Sequence, residues 1–136
     1  MLTDTVTIAE FIHANRIALT AQRASSNPAM PASFDMDHWK CVLRRPRHTL
    51  TVYFSMGRGH HGKEPVCADV LDCLASESAR IDNSNKFDDW CADIGYDTDS
   101  RKAERAFKSC QHQALRLKTF LGASLYAELL YGTERL

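Results

Sequence analysis

The chain lacks any long hydrophobic run. No apolar stretch among its 136 residues approaches the roughly 20 that a membrane span needs. Its beginning, MLTDTVTIAEF, lacks the basic flank and apolar block of a signal peptide. The 44% hydrophobic and 25% charged fractions are those of an ordinary globular protein. We therefore expect a single soluble domain over residues 1–136, located in the cytoplasm.

The chain also lacks the paired cysteines of a disulfide or zinc framework. Its five cysteines are an odd number with no CxxC spacing, and nothing in the sequence points to secretion. Free cysteine behaves as a small buried hydrophobe. We therefore expect reduced, structural thiols at Cys41, Cys67, Cys73, Cys91 and Cys110.

A phosphate-binding loop is nearly present but incomplete. In SMGRGHHGKEP, residues 55–65, Glu64 follows Lys63 at the position where the loop needs Ser or Thr. Glu64 would place a negative charge where phosphates bind, and Pro65 removes a backbone N–H donor. The pattern therefore argues against nucleotide binding. We expect instead that left-handed turns between a strand and a helix occur at Gly57, Gly59 and Gly62.

No metal, calcium or catalytic signature is complete. His60 and His61 are adjacent instead of being at a zinc-ligand spacing, and we expect both to be exposed. The acidic run DTDS continues into basic residues where a calcium loop needs acidic residues and Gly, so it predicts a helix start capped by Asp97, Asp99 or Ser100. No family signature surrounds a Cys or Ser nucleophile. We assign no catalytic, cofactor-binding or metal-binding residue and do not expect an enzyme.

Alternating apolar residues predict three strands. Residues 16–23 alternate with the period of a half-buried strand. HWKCVLRR and HTLTVYFSM predict the two arms of a β-hairpin around Pro46. The inward-facing residues of the second arm are Leu50, Val52 and Phe54. A helix capped by Thr7 precedes the strands, and residues 24–37 form a long loop before the hairpin.

Apolar residues at helical spacing predict four further helices. The first has Pro65 in its first turn and ends near Ala79. Its inward stripe is Val66, Val70, Leu71 and Leu74. The second is capped by Ser84 or Asn85 and ends at a left-handed Gly95. The third and fourth helices cover residues 101–121 and 124–131.

This order of elements predicts the fold class. Strands grouped before helices favour an α+β fold, in which a small three-stranded antiparallel sheet in the N-terminal half packs against about four helices in the C-terminal half.

The net charge is zero, but the charges are unevenly distributed. Residues 64–99 carry a net −8, while residues 1–63 and 100–136 each carry a net +4. The acidic segment is either a solvated helix face or a surface for a basic partner. The candidate partner-binding residues are Asp69, Asp72, Glu77, Asp88, Asp89 and Asp93.

A basic hairpin tip provides an alternative surface. Trp39 and Tyr53 lie on the predicted arms, and basic side chains beside aromatic rings often hold single-stranded nucleic acid. The sequence therefore also allows a nucleic-acid-binding accessory protein. Its candidate residues are Arg44, Arg45, Arg47 and His48.

Six stretches cover most of the chain from Ser26 onward: SNPAM, DHWKCVLRRP, LTVYFSMGRGHHGKEP, DVLDCLASES, FDDWCADIGYDTDSRKAER and FLGASLYAELLYGTERL. Together they resemble a widespread, uncharacterised family of small proteins from bacteriophages, prophages and mobile elements. The resemblance brings no assigned catalytic or binding residues. It implies a setting in which small proteins without an enzymatic motif are often inhibitors of bacterial defence, including anti-CRISPR proteins.

The resemblance and the acidic segment together favour a counter-defence protein. We expect a non-enzymatic inhibitor in the host cytoplasm that binds a host defence complex, with a CRISPR–Cas effector as the leading candidate, and that needs no cofactor or membrane. Its carboxylates would engage arginines and lysines that otherwise hold phosphates.

Overall fold

The computed structural model describes residues 5–27, 36–57, 63–83 and 86–132, and within them the chain forms three strands and five helices. In chain order these are α1 Thr5–Ala14, β1 Ala18–Ala24, β2 Met36–Arg45, β3 His48–Gly57, α2 Cys67–Asn83, α3 Phe87–Ile94, α4 Arg101–Leu121 and α5 Ala123–Tyr131. One helix, three strands and four helices follow each other as the sequence predicts. The α+β fold is confirmed.

The sheet is antiparallel with the order β1-β2-β3, so β2 is central. Cys41 of β2 pairs with Ala21 of β1 and with Val52 of β3. Because side chains alternate along a strand, this register gives the sheet one apolar inner face and one outer face. The buried residues of the inner face include Trp39, Cys41, Leu43, Leu50, Val52 and Met56. The predicted hairpin, including the orientation of its second arm, is confirmed.

The main core lies between the inner face of the sheet and the helices. It receives apolar side chains from α1, α2, α4 and α5, including the fully buried Leu71, Leu117 and Leu129. Burying large aliphatic residues is the dominant favourable contribution to folding, at roughly 1.5–3 kcal/mol each. None of the helices within the described residues is both long enough and apolar enough to cross a lipid bilayer.

A second, smaller core joins α3 to α4 and to the end of α2. Its buried residues are Ile81, Trp90, Cys91, Ala103, Ala106, Phe107, Cys110 and Ala114. The Trp90 ring lies 5.2 Å from the Phe107 ring and 5.4 Å from the Tyr96 ring, measured between centroids. Tilted and edge-on aromatic pairs of this kind add stability beyond burial. They hold α3 against the middle of α4.

Both ends of α4 agree with the prediction because each has a local signal. The Ser100 hydroxyl accepts a hydrogen bond from the Ala103 backbone N–H at 3.1 Å, which satisfies one of the free donors at the helix start. At the other end Gly122 adopts φ 84° and donates its N–H to the Lys118 carbonyl at 2.8 Å. Gly95 likewise ends α3 in the left-handed conformation, as predicted.

Other predicted boundaries are wrong. Helix α1 begins at Thr5, so Thr7 lies inside the helix instead of capping it. Helix α2 begins at Cys67, so Pro65 precedes its first turn, and Val66 is 58% exposed instead of belonging to the inward stripe. The same helix continues to Asn83, one turn beyond the predicted end.

The connections between the elements also differ from the predictions or lie outside the described residues. Gly57 is the last residue of β3 and does not have a positive φ, contrary to expectation. The backbone of Lys86 takes the N-cap position of α3, with no side-chain cap. Several residues of these predictions lie outside the described part of the chain: Gly59, His60, His61, Gly62, Ser84, Asn85 and most of the predicted loop at 24–37.

Candidate binding surfaces

The predicted acidic residues form two separate groups. Asp69 and Asp72 are exposed in the first turns of α2, beside a recess of about 390 Å³ that the end of β3 also lines. Asp88, Asp89 and Asp93 lie on α3. Asp93 contacts Arg80 of α2. Arg80 lies about 12 Å beyond Asp72 along the axis of α2, so the group on α3 is at the other end of that helix. The six candidates therefore do not form one continuous patch.

Two of these six carboxylates already have partners within the protein. Asp93 accepts a hydrogen bond of 2.7 Å from the Arg80 guanidinium, in an ion pair that is partly exposed. Glu77 is half-buried instead of lying on the solvent face as predicted. Burial raises the pKa of Glu77, while a hydrogen bond from the Cys73 thiol and the charge of Arg80 lower it. Glu77 is unsuited to a partner surface because it is half-buried and its charge acts on Cys110 of α4.

The second group of carboxylates lies on α3 and on the segments that flank it. Asp88 and Asp89 are exposed in its first turn, and Asp82, Asp97 and Asp99 are exposed on the segments that flank it. Two of these five accept a hydrogen bond within the protein: Asp82 from the Tyr131 hydroxyl at 2.6 Å, and Asp97 from the Asp99 backbone N–H at 3.0 Å. We refer to Asp82, Asp88, Asp89, Asp97 and Asp99 as the acidic end. It contains five of the exposed carboxylates of the acidic segment.

The four residues of the predicted basic hairpin do not share one face. Arg45 is half-buried and donates a hydrogen bond of 2.9 Å to the main-chain carbonyl of Phe120. Arg44 lies on the opposite face of β2 and donates to the Thr20 hydroxyl at 3.1 Å. Arg47 and His48 are exposed at the turn, where Arg47 has φ 69°. Arg45 is therefore engaged within the fold, and binding of one ligand by all four residues stays a prediction.

The two aromatic residues of the hairpin also lie on opposite faces. Trp39 is on the inner face, only 4% exposed, with the Arg23 guanidinium 5.0 Å from its ring centroid. Tyr53 is on the outer face and half-buried. Only Tyr53 is placed to contact a ligand on the outer face of the sheet.

Tyr53 lines a recess between β3 and α4, which we call the basic groove. Its volume is about 330 Å³, and its lining residues are Tyr53, Lys108, Ser109, His112, Gln113 and Arg116. Lys108, His112 and Arg116 follow each other at four-residue steps along one flank of α4, about 6 Å apart along the axis. The groove therefore has a cationic wall and an aromatic wall.

The charges of the groove are largely available to a ligand. Lys108 is exposed and lies 3.6 Å from Glu104, a spacing typical of a weak surface ion pair. Within the described residues, no ion pair engages Arg116 or His112. In the same recess the Gln113 side-chain oxygen is buried without a hydrogen-bond partner among the described residues. Such an unpaired acceptor costs free energy and calls for a donor.

The basic groove continues onto the outer face of the sheet. Tyr53 is directly opposite Lys40 in the register of β2 and β3, and Lys40 is exposed. Arg44 lies four residues further along β2, toward the turn, and on the same face. The three strands place no carboxylate on this face, whose residues are Ala18, Thr20, Gln22, Ala24, Met36, His38, Lys40, Val42, Arg44, Thr49, Thr51, Tyr53, Ser55 and Gly57.

The sequence-based prediction did not include a cationic flank of α4. The helix contains six Lys/Arg and one carboxylate, Glu104. Five basic residues fall within an arc of about 80° when the helix turns about 100° per residue. They are Arg101, Arg105, Lys108, His112 and Arg116. The spacing of three and four residues between them is the sequence signal that indicates this flank.

All five cysteines are free thiols. Cys41, Cys91 and Cys110 are buried, and Cys67 and Cys73 are half-buried. Burial raises the pKa of Cys41 and of Cys67 to about 11 and that of Cys110 to about 12. A thiol with so high a pKa is a poor nucleophile at neutral pH. Among the described residues, no three His, Cys, Asp or Glu side chains are grouped so that they could hold a metal ion.

Comparisons of the chain with protein-family models, curated proteins and solved structures gave no match. The resemblance to the phage-protein family stays a prediction.

Proposed function

We propose that this protein binds nucleic acid, without catalysing a reaction on it, through the basic groove and the adjoining outer face of the sheet. The observation that carries the proposal is the recess in which Lys108, His112 and Arg116 face Tyr53. Lysine and arginine at such a surface neutralise phosphates and release counterions, which is the main source of nucleic-acid affinity. Lys40 and Arg44 extend the same charge over the strands.

The ligand class, nucleic acid, is the one that the basic hairpin predicts, but the binding residues are different. Arg45 keeps its charge, but its guanidinium is held by the Phe120 carbonyl, so it supports the fold. The cationic flank of α4 provides the charge instead. The net charge of zero is compatible with binding because no carboxylate is among the residues that line the groove.

The test is fluorescence anisotropy with a labelled oligonucleotide of mixed sequence at several salt concentrations. The double variant Lys108→Glu/Arg116→Glu is expected to weaken binding at least tenfold. It should also flatten the salt dependence, since each lost phosphate contact lowers the slope of log K against log salt by roughly 0.7–0.9.

The matched control is Arg47→Glu/Lys118→Glu, which makes the same change of charge outside the groove. Lys118 lies on another flank of α4, over the Tyr126 ring. Equal losses in both double variants would show that only net charge matters. Absence of binding by the unaltered protein at low salt would reject the proposal.

A second candidate function is favoured by the acidic end. Asp88 and Asp89 are exposed side by side at the start of α3, and such carboxylates suit a basic groove on another protein. With the setting that the family resemblance implies, this candidate is a counter-defence inhibitor in the host cytoplasm that binds a defence complex, with a CRISPR–Cas effector as the leading target.

The separation of the acidic groups provides a matched test of this candidate. The protein would be co-expressed with an active CRISPR–Cas system, and the plating efficiency of a targeted phage would be measured. Asp88→Asn/Asp89→Asn should abolish the protection of the phage, while Asp69→Asn/Asp72→Asn, with the same change of charge on α2, should retain it. No protection of the phage by the unaltered protein would reject this target.

A further inference from the structure

We infer that the nucleic acid held at the basic groove is single-stranded, with one unstacked base lying against the Tyr53 ring. The inference rests on the proposed function and specifies its ligand. It follows from the position of Tyr53, the shape of the recess and the polarity of its lining.

Tyr53 is the one aromatic side chain that the three strands place on the outer face. Its neighbours on the same side of β3 are Thr51 and Ser55, and Lys40 lies opposite. A base inside a duplex is stacked on its neighbours and offers only its edges to a protein. A ring on a sheet surface therefore gains from a base only when that base is unstacked, as in single-stranded recognition.

The recess has the shape for one strand. A helix that recognises a duplex enters a major groove about 12 Å wide and must protrude to do so. Here the C-terminal half of α4 is flanked by β3, so that His112 and Arg116 border a concavity. The cations are spaced about 6 Å apart along α4, a scale similar to the phosphate repeat of an extended strand. The volume of about 330 Å³ accommodates a single nucleotide.

The polarity of the lining favours a nucleotide over a simple anion. Lys108 and Arg116 supply donors, which suit phosphate oxygens. The buried oxygen of Gln113 is an acceptor without a partner among the described residues. Phosphate has no hydrogen to donate to it, whereas the edge of every base carries N–H groups. One ligand that contains both a phosphate and a base would satisfy both kinds of group.

The experiment compares a labelled single-stranded oligonucleotide with a duplex of the same length and sequence, by anisotropy at fixed salt. The single strand should bind at least tenfold more tightly. Tyr53→Leu should weaken single-strand binding about tenfold, in line with the loss of one stacked base, while Tyr53→Phe should retain it. Tyr131→Leu, at an exposed tyrosine of α5, is the matched control and should bind as the unaltered protein does.

A second measurement, photo-cross-linking, uses only the unaltered protein. A single strand that carries 5-iodouracil would be irradiated with the unaltered protein, and the cross-linked peptide would be identified by mass spectrometry. Cross-linking at Tyr53 is the expected result, and cross-links confined to other peptides would overturn the inference.

The outcomes separate this inference from the proposed function. Equal binding of single strand and duplex, with no effect of Tyr53→Leu, would overturn the inference. The proposed function would still stand if Lys108→Glu/Arg116→Glu weakened that binding. Absence of binding to either oligonucleotide would reject both.

Discussion

The Arg45 guanidinium donates a hydrogen bond of 2.9 Å to the main-chain carbonyl of Phe120, which is 75 residues away in sequence. Arg45 ends β2, and Phe120 is in the last turn of α4. Carbonyls in the last turn of a helix have no intrahelical partner, and positive charge is favourable at this end. The contact joins the hairpin to the longest helix, so Arg45 has a structural role.

We predict that Arg45→Met lowers the free energy of unfolding by roughly 1–3 kcal/mol. Methionine keeps an apolar stem but leaves the Phe120 carbonyl without its donor. Urea unfolding measures the effect, with Arg47→Met in the exposed turn as the control, expected to change stability by less than about 0.5 kcal/mol. Equal effects of the two variants would contradict a structural role specific to Arg45.

The start of α4 provides a second prediction. Asp97 accepts a hydrogen bond from the Asp99 backbone N–H at 3.0 Å, within the preceding turn, and Ser100 caps the helix. Ser100→Ala should therefore lower the free energy of unfolding by about 1 kcal/mol, the usual value of an N-cap. Thr98→Ala, at an exposed position two residues earlier, is the control. A smaller loss in Ser100→Ala than in Thr98→Ala would contradict this assignment.

The sequence predicted those parts of the fold that depend on local signals. Alternation determines the hairpin, and a hydroxyl before α4 and a glycine after it determine the bounds of that helix. The start of α2 was misplaced because Pro65 is compatible with more than one position near a helix start. The end of α2 depends on the second core, where Ile81 packs against residues of α3 and α4 that are distant in sequence.

The candidate site was harder to predict because charge along a chain does not show which side chains share a face. Glu77 and Arg45 were both assigned to binding surfaces, yet tertiary contacts withdraw each of them from solvent. The basic groove brings Tyr53 from a strand to Arg116 on a helix, and no local pattern connects the two. The sequence alone shows only the spacing of the basic residues within α4.

The half-buried Glu77 predicts a pH dependence of stability. Burial raises its folded-state pKa above the ordinary value of 4.5, so the folded state binds this proton more tightly than the unfolded state. The contribution to stability is therefore fully present below about pH 4.5 and is lost as the pH rises through the folded pKa. Glu77→Gln should stabilise the protein at pH 7 relative to the unaltered chain, with a smaller gain at pH 4.

Urea unfolding over this pH range measures the effect, and Cys73→Ala provides a second check. The Cys73 thiol donates a hydrogen bond that lowers the pKa of Glu77. Its removal should move the window of pH dependence to higher pH. A gain in Glu77→Gln that is independent of pH would indicate that better packing, instead of the buried charge, is responsible.

The thiols provide a test of whether any cysteine is chemically activated. Burial raises the pKa of Cys67, one of the two half-buried thiols, to about 11. The thiolate, which is the reactive form, is therefore scarce at pH 8. We expect Ellman's reagent to react slowly with the folded protein and quickly with all five thiols in denaturant. A fast-reacting thiol in the folded state would contradict the structural role of the cysteines.

Gln113 links stability to binding at the basic groove. Its side-chain oxygen is buried without a partner among the described residues, so Gln113→Leu, which removes the unpaired acceptor at similar size, should stabilise the free protein by about 1 kcal/mol. The same variant should bind a single-stranded oligonucleotide less tightly, because the base edge loses its acceptor. Urea unfolding and anisotropy measure the two effects on one protein preparation. Ser109→Ala, on the same wall, keeps Gln113 and serves as the control. A gain in stability together with a loss of affinity would support a role of the Gln113 oxygen in binding. A gain in stability without a loss of affinity would mean that the unpaired oxygen has no part in binding.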